Sequence, residues 1–361
     1  MNIINATTKF EQWLRRHTRI VAPDLRRKHE RMAESLFPFL RGTFYRWVQT
    51  WPEVCSELGQ APRILAVGDL HVENFGTWRD TDGRLVWGVN DFDEVSLFPY
   101  TIDLVRLTTS VILAAREERL VMKAKASAEA ILEGYERGLQ EGGCPFVLEE
   151  EHSWLRSIAL SNLRDPVVFW QKMDHLPVLR RAVPQSAREA IEPMMPEPGL
   201  PYRIVRRIAG MGSLGHARLV ALADWKGGRV AREAKALVPS SLHWLDPKRA
   251  PGRILYSAAL RRAVRCPDPY VRLGGYWIVR RLSPHCSRIE LEALAGYRGE
   301  LRLLEAMGYE TANIHLGTEG KRRAILKDLR QRKGNWLLAA AQAMATAAEK
   351  DWHAWRERRQ S

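Results

Sequence analysis

At 361 residues with 45% hydrophobic composition, the chain is long enough for more than one core and too apolar to be largely disordered. No uninterrupted apolar run approaches the roughly 20 residues that span a bilayer, and the first 21 residues carry Lys9, Glu11, Arg15 and Arg16 where a signal peptide needs an apolar centre. Four isolated cysteines supply neither a disulfide framework nor a metal knuckle, so a soluble, reduced, cytoplasmic protein is expected, and the net charge of +14 points to polyanions such as nucleotides, phosphorylated metabolites or RNA.

Helices are expected over about residues 10–49, where Arg15-Arg16 and Arg26-Arg27-Lys28 read first as solvated helix faces. Next comes a short apolar run, Arg63-Ile64-Leu65-Ala66-Val67, leading into Gly68-Asp69-Leu70-His71-Val72-Glu73-Asn74-Phe75-Gly76. A reversal at Asp82-Gly83 and a strand over residues 84–89 then deliver Asn90-Asp91-Phe92-Asp93 beside that loop. Phosphoryl transfer needs a carboxylate to orient the attacking hydroxyl, and a carboxylate and an amide to hold metal ions. Asp69, Asn74 and Asp91 have those chemistries, the first two at D-x-x-x-x-N spacing. A competing motif, the H-x-E of nucleobase deaminases, lies at His71-Val72-Glu73, but the P-C-x-x-C that such chemistry also needs is missing from the sequence.

Helices should follow over residues 101–142 and on to 195, ending at the linker Pro196-Glu197-Pro198-Gly199-Leu200-Pro201. Beyond it, a strand over 203–209 precedes Gly210-Met211-Gly212-Ser213-Leu214-Gly215, a full G-x-G-x-x-G. The spacing also marks a dinucleotide turn, with Glu233 about where a ribose-binding acid would lie, but that fold needs a helix directly after the loop. An apolar run over 217–223, a turn at 225–228 and a run over 229–237 favour a β-meander instead, although the first run lacks clean alternation and leaves a helix open. The last run carries Lys235; with no Glu between Ala236 and Ile289, its partner must be Asp246, Asp268 or a carboxylate from the other half of the chain, or the pair is absent. Ser283-Pro284-His285-Cys286 is a candidate hinge, and the remainder reads as helix. There Trp336, Trp352 and Trp355 suit core packing, and Lys321-Arg322-Arg323 and residues 356–359 add positive charge.

The pattern G-D-x-H-x-x-N followed by N-D-F-D resembles the catalytic loop and metal-binding aspartate of the protein-kinase-like fold in its aminoglycoside and choline kinase form. Pro99-Tyr100-Thr101-Ile102-Asp103-Leu104 is similar to the D-P-x-x-D-L element that follows, without its first aspartate. By that resemblance Asp69 is the catalytic base, His71 a neighbour of the transferred phosphoryl, and Asn74 and Asp91 magnesium ligands, with Asp93 assisting a second metal. Gly210, Gly212, Ser213, Gly215 and Lys235 cradle ATP, and Asp103 braces the loop by accepting backbone N–H groups. One departure is Val67, where the family has a histidine.

Because the metal and base elements come first and the cradle second, the resemblance implies a circularly permuted chain. The expected class is α+β, a bilobal protein-kinase-like fold with a small antiparallel-sheet nucleotide lobe and a larger, mainly helical lobe. The expected division is 1–62, 63–200, 201–284 and 285–361. Together with Phe37-Pro38-Phe39-Leu40-Arg41-Gly42, Asn90-Asp91-Phe92-Asp93-Glu94, Pro239-Ser240 and Trp277-Ile278-Val279-Arg280-Arg281-Leu282, the arrangement resembles the bacterial domain-of-unknown-function family 2252, which carries over no activity. The expected function is an ATP- and Mg2+-dependent phosphotransferase acting on a small-molecule or protein hydroxyl. Alternatives are AMP transfer from a nucleotide bound in reverse, and a catalytically weak nucleotide-binding protein that touches RNA through its basic helices. Either way Lys235 and Asp91 should approach to within roughly 10 Å across one cleft.

Overall fold

The computed structural model describes residues 1–117, 122–149, 151–161, 165–179, 182–248, 250, 252–284, 286 and 299–360. Four helices open the chain: α1 (Ile3–His17), α2 (Ala22–Glu34), α3 (Leu36–Gly42) and α4 (Phe44–Val54). In α1 the Asn2 side chain accepts the Asn5 N–H at 2.9 Å, and Ile3, Ala6, Phe10 and Leu14 fall on one buried face at helical spacing. Strand β1 (Arg63–Ala66) pairs antiparallel with β4 (Ser96–Pro99), while β2 (Phe75–Arg79) pairs with β3 (Leu85–Val89) through the Asp82-Gly83 turn. The register Phe75↔Val89 is what places Asn74 beside Asn90, whose N–H donates to the Asn74 carbonyl at 2.8 Å.

Helix α5 (Thr101–Arg116) is buried along nearly its whole length, and α6 (Ala124–Glu141) follows it. A two-residue β5 (Phe146–Val147) extends the β2–β3 pair, and α7 (Ser153–Ser161), α8 (Pro166–Asp174) and α9 (Gln185–Ile191) lead to the largest sheet. That sheet contains β6 (Arg203–Arg206), β7 (Arg218–Trp225) and β8 (Gly228–Ala236). Two short helices, α10 (Ser241–Leu245) and α11 (Tyr256–Arg262), separate these from β9 (Val271–Gly274) and β10 (Trp277–Leu282). The strand order is β6-β7-β8-β10-β9, with each pair antiparallel. Three helices close the chain: α12 (Glu300–Leu316), α13 (Arg322–Gln331) and α14 (Trp336–Gln360).

The main core joins both ends of the chain, from Phe37 and Phe39 through Leu104 and Val105 to Met307 and Met344. Helices α6 and α12 cross so closely that a Cβ at Gly134 would lie 1.8 Å from the Glu305 carbonyl oxygen and one at Gly308 2.0 Å from that of Ile131. Only glycine fits at either contact. The five-stranded sheet is covered on both faces, by Ala187, Ala190 and Ile191 of α9 on one and by Phe169 and Met173 of α8 on the other. Double coverage explains why the run over 217–223 lacks alternation yet is a strand: both of its faces are buried.

The class is α+β with small antiparallel sheets, and the β-meander reading is correct in its strands: the glycine loop runs from β6 straight into β7 with no helix after it. The turn between β7 and β8 has Trp225 opposite Gly228, with positive φ at Lys226 (46°) and Gly227 (78°), the conformation that matches strand twist in a two-residue hairpin. Of the candidate hinge, His285 lies outside the described residues. The tryptophans of α14 do pack inward, Trp355 being buried, and Arg15, Arg16, Arg26, Arg27 and residues 321–323 are exposed. Lys28 is not: it is 6% exposed. No helix among the described residues is long and apolar enough to cross a membrane.

Candidate functional site

The loop after β1 is held by buried side chains. Asp103, at the start of α5, accepts the Val67 N–H at 2.7 Å and the Gly68 N–H at 2.8 Å, and His315 of α12 holds the same carboxylate at 2.9 Å. Tyr135 in turn bonds His315 at 2.8 Å, so the bracing lost with Val67 comes from α5, α12 and α6. Gly68 has φ +86°, and a Cβ there would meet the Glu94 carbonyl oxygen at 2.7 Å, so this corner requires glycine. One turn beyond Asp103, the fully buried Arg106 donates to Asp69 Oδ1 from Nε at 3.0 Å and from Nη2 at 2.7 Å. Its Nη2 also donates to the Leu40 carbonyl at 2.6 Å. Burial raises the Asp69 carboxyl above the usual range while Arg106 and Arg41 pull it back, leaving a carboxylate fixed through one oxygen.

Asn74 is 5% exposed and spends its amide N–H groups on the Asp69 and Asp91 carbonyls at 3.3 and 3.0 Å, so only its Oδ1 could serve a cation. Across from it, Lys235 of β8 is 1% exposed and places Nζ 3.1 Å from each Asp91 carboxylate oxygen and 2.7 Å from Asp93 Oδ2. The partner left open by the sequence is therefore a carboxylate pair from the other half of the chain. Asp268 instead caps the Tyr270 N–H at 2.9 Å, and Asp246 accepts the Lys248 N–H at 3.2 Å. Burial, followed by the neighbouring Asp91 charge, pushes Asp93 up to about 7 even though Lys235 opposes the shift. Glu94, next in sequence, is pushed up to about 7 by burial while Ser240 and Ser241 hydrogen-bond it.

The glycine loop faces this centre. A Cβ built on Gly212 would lie 3.7 Å from Asp69 Oδ2, the oxygen that Arg106 does not hold. From the opposite side α2 grips the loop: Lys28 Nζ donates to the Gly212 carbonyl at 2.9 Å and the Val21 N–H to the Gly215 carbonyl at 2.8 Å. Ser213 receives Arg218 Nη2 at 2.8 Å. A cavity of about 80 Å³ lies between loop and carboxylates, walled by Phe10, Phe44 and Tyr45 and by Asp69, His71 and Asn74. His71 is buried, with Nδ1 accepting the Glu73 N–H at 3.2 Å, and Glu73 pairs with Arg41.

Asp69, His71, Asn74, Asp91, Asp93, Gly210, Gly212 and Ser213 thus line one cavity, and Lys235 bonds Asp91 and Asp93. Gly215 stands apart, against Leu25. Glu233 is not a ribose-binding acid exposed at a strand end. It is wholly buried, paired with Arg207, Arg218 and Arg280, and their charges hold its carboxyl well below the usual range against the cost of burial. No group of three or more His, Cys, Asp or Glu side chains among the described residues is arranged for a metal ion, so no zinc-type cluster accompanies His71 and Glu73. Asp91, Asp93 and the Asn74 amide oxygen offer oxygen donors only, the ligand type that hard divalent cations take.

The F-x-F-L-R-G run, the Gly68 loop and Asn90 to Glu94 converge here from one continuous part of the chain. Residues 19–172 match DUF2252. That family is described as an uncharacterized protein conserved in bacteria. The DUF2252 match takes in Asp69, Asn74 and Asp91 and ends before β6, so the glycine loop and Lys235 lie outside it. No curated protein and no solved structure matches the chain. Within the DUF2252 segment, sequence reasoning missed Lys28 and Arg106 and gave Arg41 no role. The spacing Asp103 to Arg106 was the available signal, since i and i+3 share a helix face.

Proposed function

We propose that this cleft binds a nucleoside triphosphate with magnesium and transfers a phosphorus group from it to a hydroxyl presented to Asp69. The observation that carries the reading is Lys235 bonded to Asp91 and Asp93, 144 and 142 positions away, beside Asp69 and the glycine loop. A buried cation facing two half-buried carboxylates is costly unless they serve each other or a ligand. Asp91, Asp93 and Asn74 would hold magnesium, which neutralises phosphate charge and draws the nucleotide into place. Lys235 would then turn from the carboxylates to phosphate oxygens. Arg106 fixes Asp69 through Oδ1, leaving Oδ2 to accept the hydroxyl proton. His71, in the same cavity, helps shape the acceptor's place.

The first test needs no acceptor. Melting temperatures measured with ATP, GTP and inorganic phosphate, each with and without Mg2+, should rise most when nucleotide and metal are present together. A ligand at 100 times its Kd stabilises by about 2.7 kcal/mol, readily seen in a melt. Absence of any nucleotide-dependent shift would end this reading. Phosphoryl and nucleotidyl transfer use the same side chains and differ in which phosphorus lies at Asp91.

A further inference from the structure

A second cavity, of about 240 Å³, lies beyond Gly210, which also lines the Asp69 cavity. From the large sheet it is lined by Arg218 of β7 and Arg280 of β10, on the face that carries Lys235. The pairings Arg218↔Lys235 and Arg280↔Glu233 set Arg218, Glu233 and Arg280 side by side on that face. Nearer the sheet's other end the same face carries Val205, Val220, Leu222 and Ala231, packed under α8, so the change from apolar to charged is abrupt. Glu233 accepts from Arg218 Nη1 and Arg280 Nε at 3.0 Å each and from Arg207. Three guanidiniums against one carboxylate leave two positive charges unbalanced. Trp78 forms part of the wall, and over its ring, at 4.4 Å, lies the guanidinium of the half-buried Arg265, whose Nε has no hydrogen-bond partner among the described residues. Asp268 is the wall's acid, and burial raises its carboxyl above the usual range. Asn90, the neighbour of Asp91, completes the link to the metal carboxylates.

A purine ring asks for apolar faces, whereas a pocket of clustered guanidiniums asks for phosphate oxygens, which arginine binds through paired N–H groups. We infer that this arginine-lined cavity binds the polyphosphate end of the nucleotide, so that the α-phosphorus lies at Asn74 and Asp91 and the transferred group is the nucleoside monophosphate. The inference rests on the nucleotide reading above and fixes the direction in which the nucleotide lies. In the step, the acceptor oxygen bonds to the α-phosphorus as the bond from that phosphorus to the bridging oxygen breaks. Pyrophosphate departs with the bonding pair into the arginine cavity, and the hydroxyl proton passes to Asp69.

Binding and chemistry test this separately. Inorganic tripolyphosphate, titrated calorimetrically, should bind the full chain and compete with ATP. Arg280→Gln should weaken it roughly tenfold or more, while Asp69→Asn leaves it unchanged. Arg207→Gln, at the cavity's edge, serves if Arg280→Gln fails to fold. With water in place of the acceptor, ATP should yield AMP and pyrophosphate, and α-labelled ATP should label any protein or small-molecule product. Release of ADP with transfer of the γ-label would overturn the inference while leaving the nucleotide reading intact. Tripolyphosphate binding that neither arginine substitution alters would overturn it as well. Failure of ATP to bind with Mg2+ would be a different result, ending the nucleotide reading itself.

Discussion

Asp69 gives Oδ1 to Arg106 and turns Oδ2 toward the glycine loop, and under the proposed function substitution should separate a structural from a chemical part. Asp69→Asn keeps the shape but leaves the Arg106 guanidinium, 0% exposed, without a charged partner. Removing one member of a buried pair costs about 3–5 kcal/mol, so the variant should melt lower. Loss of a positioned base should also slow turnover by about 10²- to 10⁴-fold with nucleotide affinity nearly unchanged. Calorimetry and single-turnover kinetics on the same preparation check both, and unimpaired turnover would remove Asp69 from the chemistry. Asp93 supplies a pH dependence. Its folded carboxyl sits at about 7 against an ordinary value of 3.8. Below about pH 4 both folded and unfolded chains carry the proton, so the stabilisation is complete; it is lost as pH rises through about 7. The ligand-free protein should therefore lose stability between those limits, and Asp93→Asn should flatten part of the slope in urea titrations. Glu94 and Glu310, each also pushed up to about 7 by burial, contribute in the same direction. Under the proposed function magnesium would displace the Asp93 proton, so its affinity should climb as pH approaches 7, with proton release visible in buffers of different ionisation enthalpy.

The glycine loop is an element held from outside its own sheet. Lys28 and Val21 on and before α2 fasten Gly212 and Gly215, and Asp24 pairs with Arg206 at the end of β6. Lys28→Met keeps the volume and removes the donor, and with it an ammonium whose burial is itself unfavourable. The expected outcome is an unchanged or higher melting temperature with faster amide hydrogen exchange over residues 210–216; unchanged exchange would show that α2 does not restrain the loop. Elements of this kind differ in how openly the sequence announces them. Strands β6 to β8, the Asp82-Gly83 reversal and the loop from Gly68 to Asn74 were readable because turn residues and apolar runs act locally. Asp103 bracing the loop was expected from the resemblance, and its two backbone contacts are present. Lys28 was hidden because a cation in an arginine-rich helix looks solvated until another segment covers it. The arginines around Glu233 were hidden for a related reason: Arg207, Arg218 and Arg280 meet only through strand register, which a single sequence does not declare.

At the scale of the whole molecule, the cleft exists only because the sheet of β6 to β10 closes on a loop from the first quarter of the chain. Lys235→Met tests how much that closure depends on charge. It should strand Asp91 and Asp93 together and cost about 3–5 kcal/mol, seen as a lower urea midpoint, with Mg2+ recovering part of the loss by replacing the missing cation. A midpoint unmoved by the substitution would mean that apolar contacts alone hold the cleft shut. The same separation has a consequence for the ribosome. Lys235 follows Asp91 by 144 positions, and synthesis at about 5–20 residues per second puts roughly 7–30 s between them. For that interval the nascent chain carries the acidic half of its cleft with no lysine to meet it. Water and the diffuse salt atmosphere screen those carboxylates during synthesis, so the acidic half of the cleft is made before the cation that pairs with it.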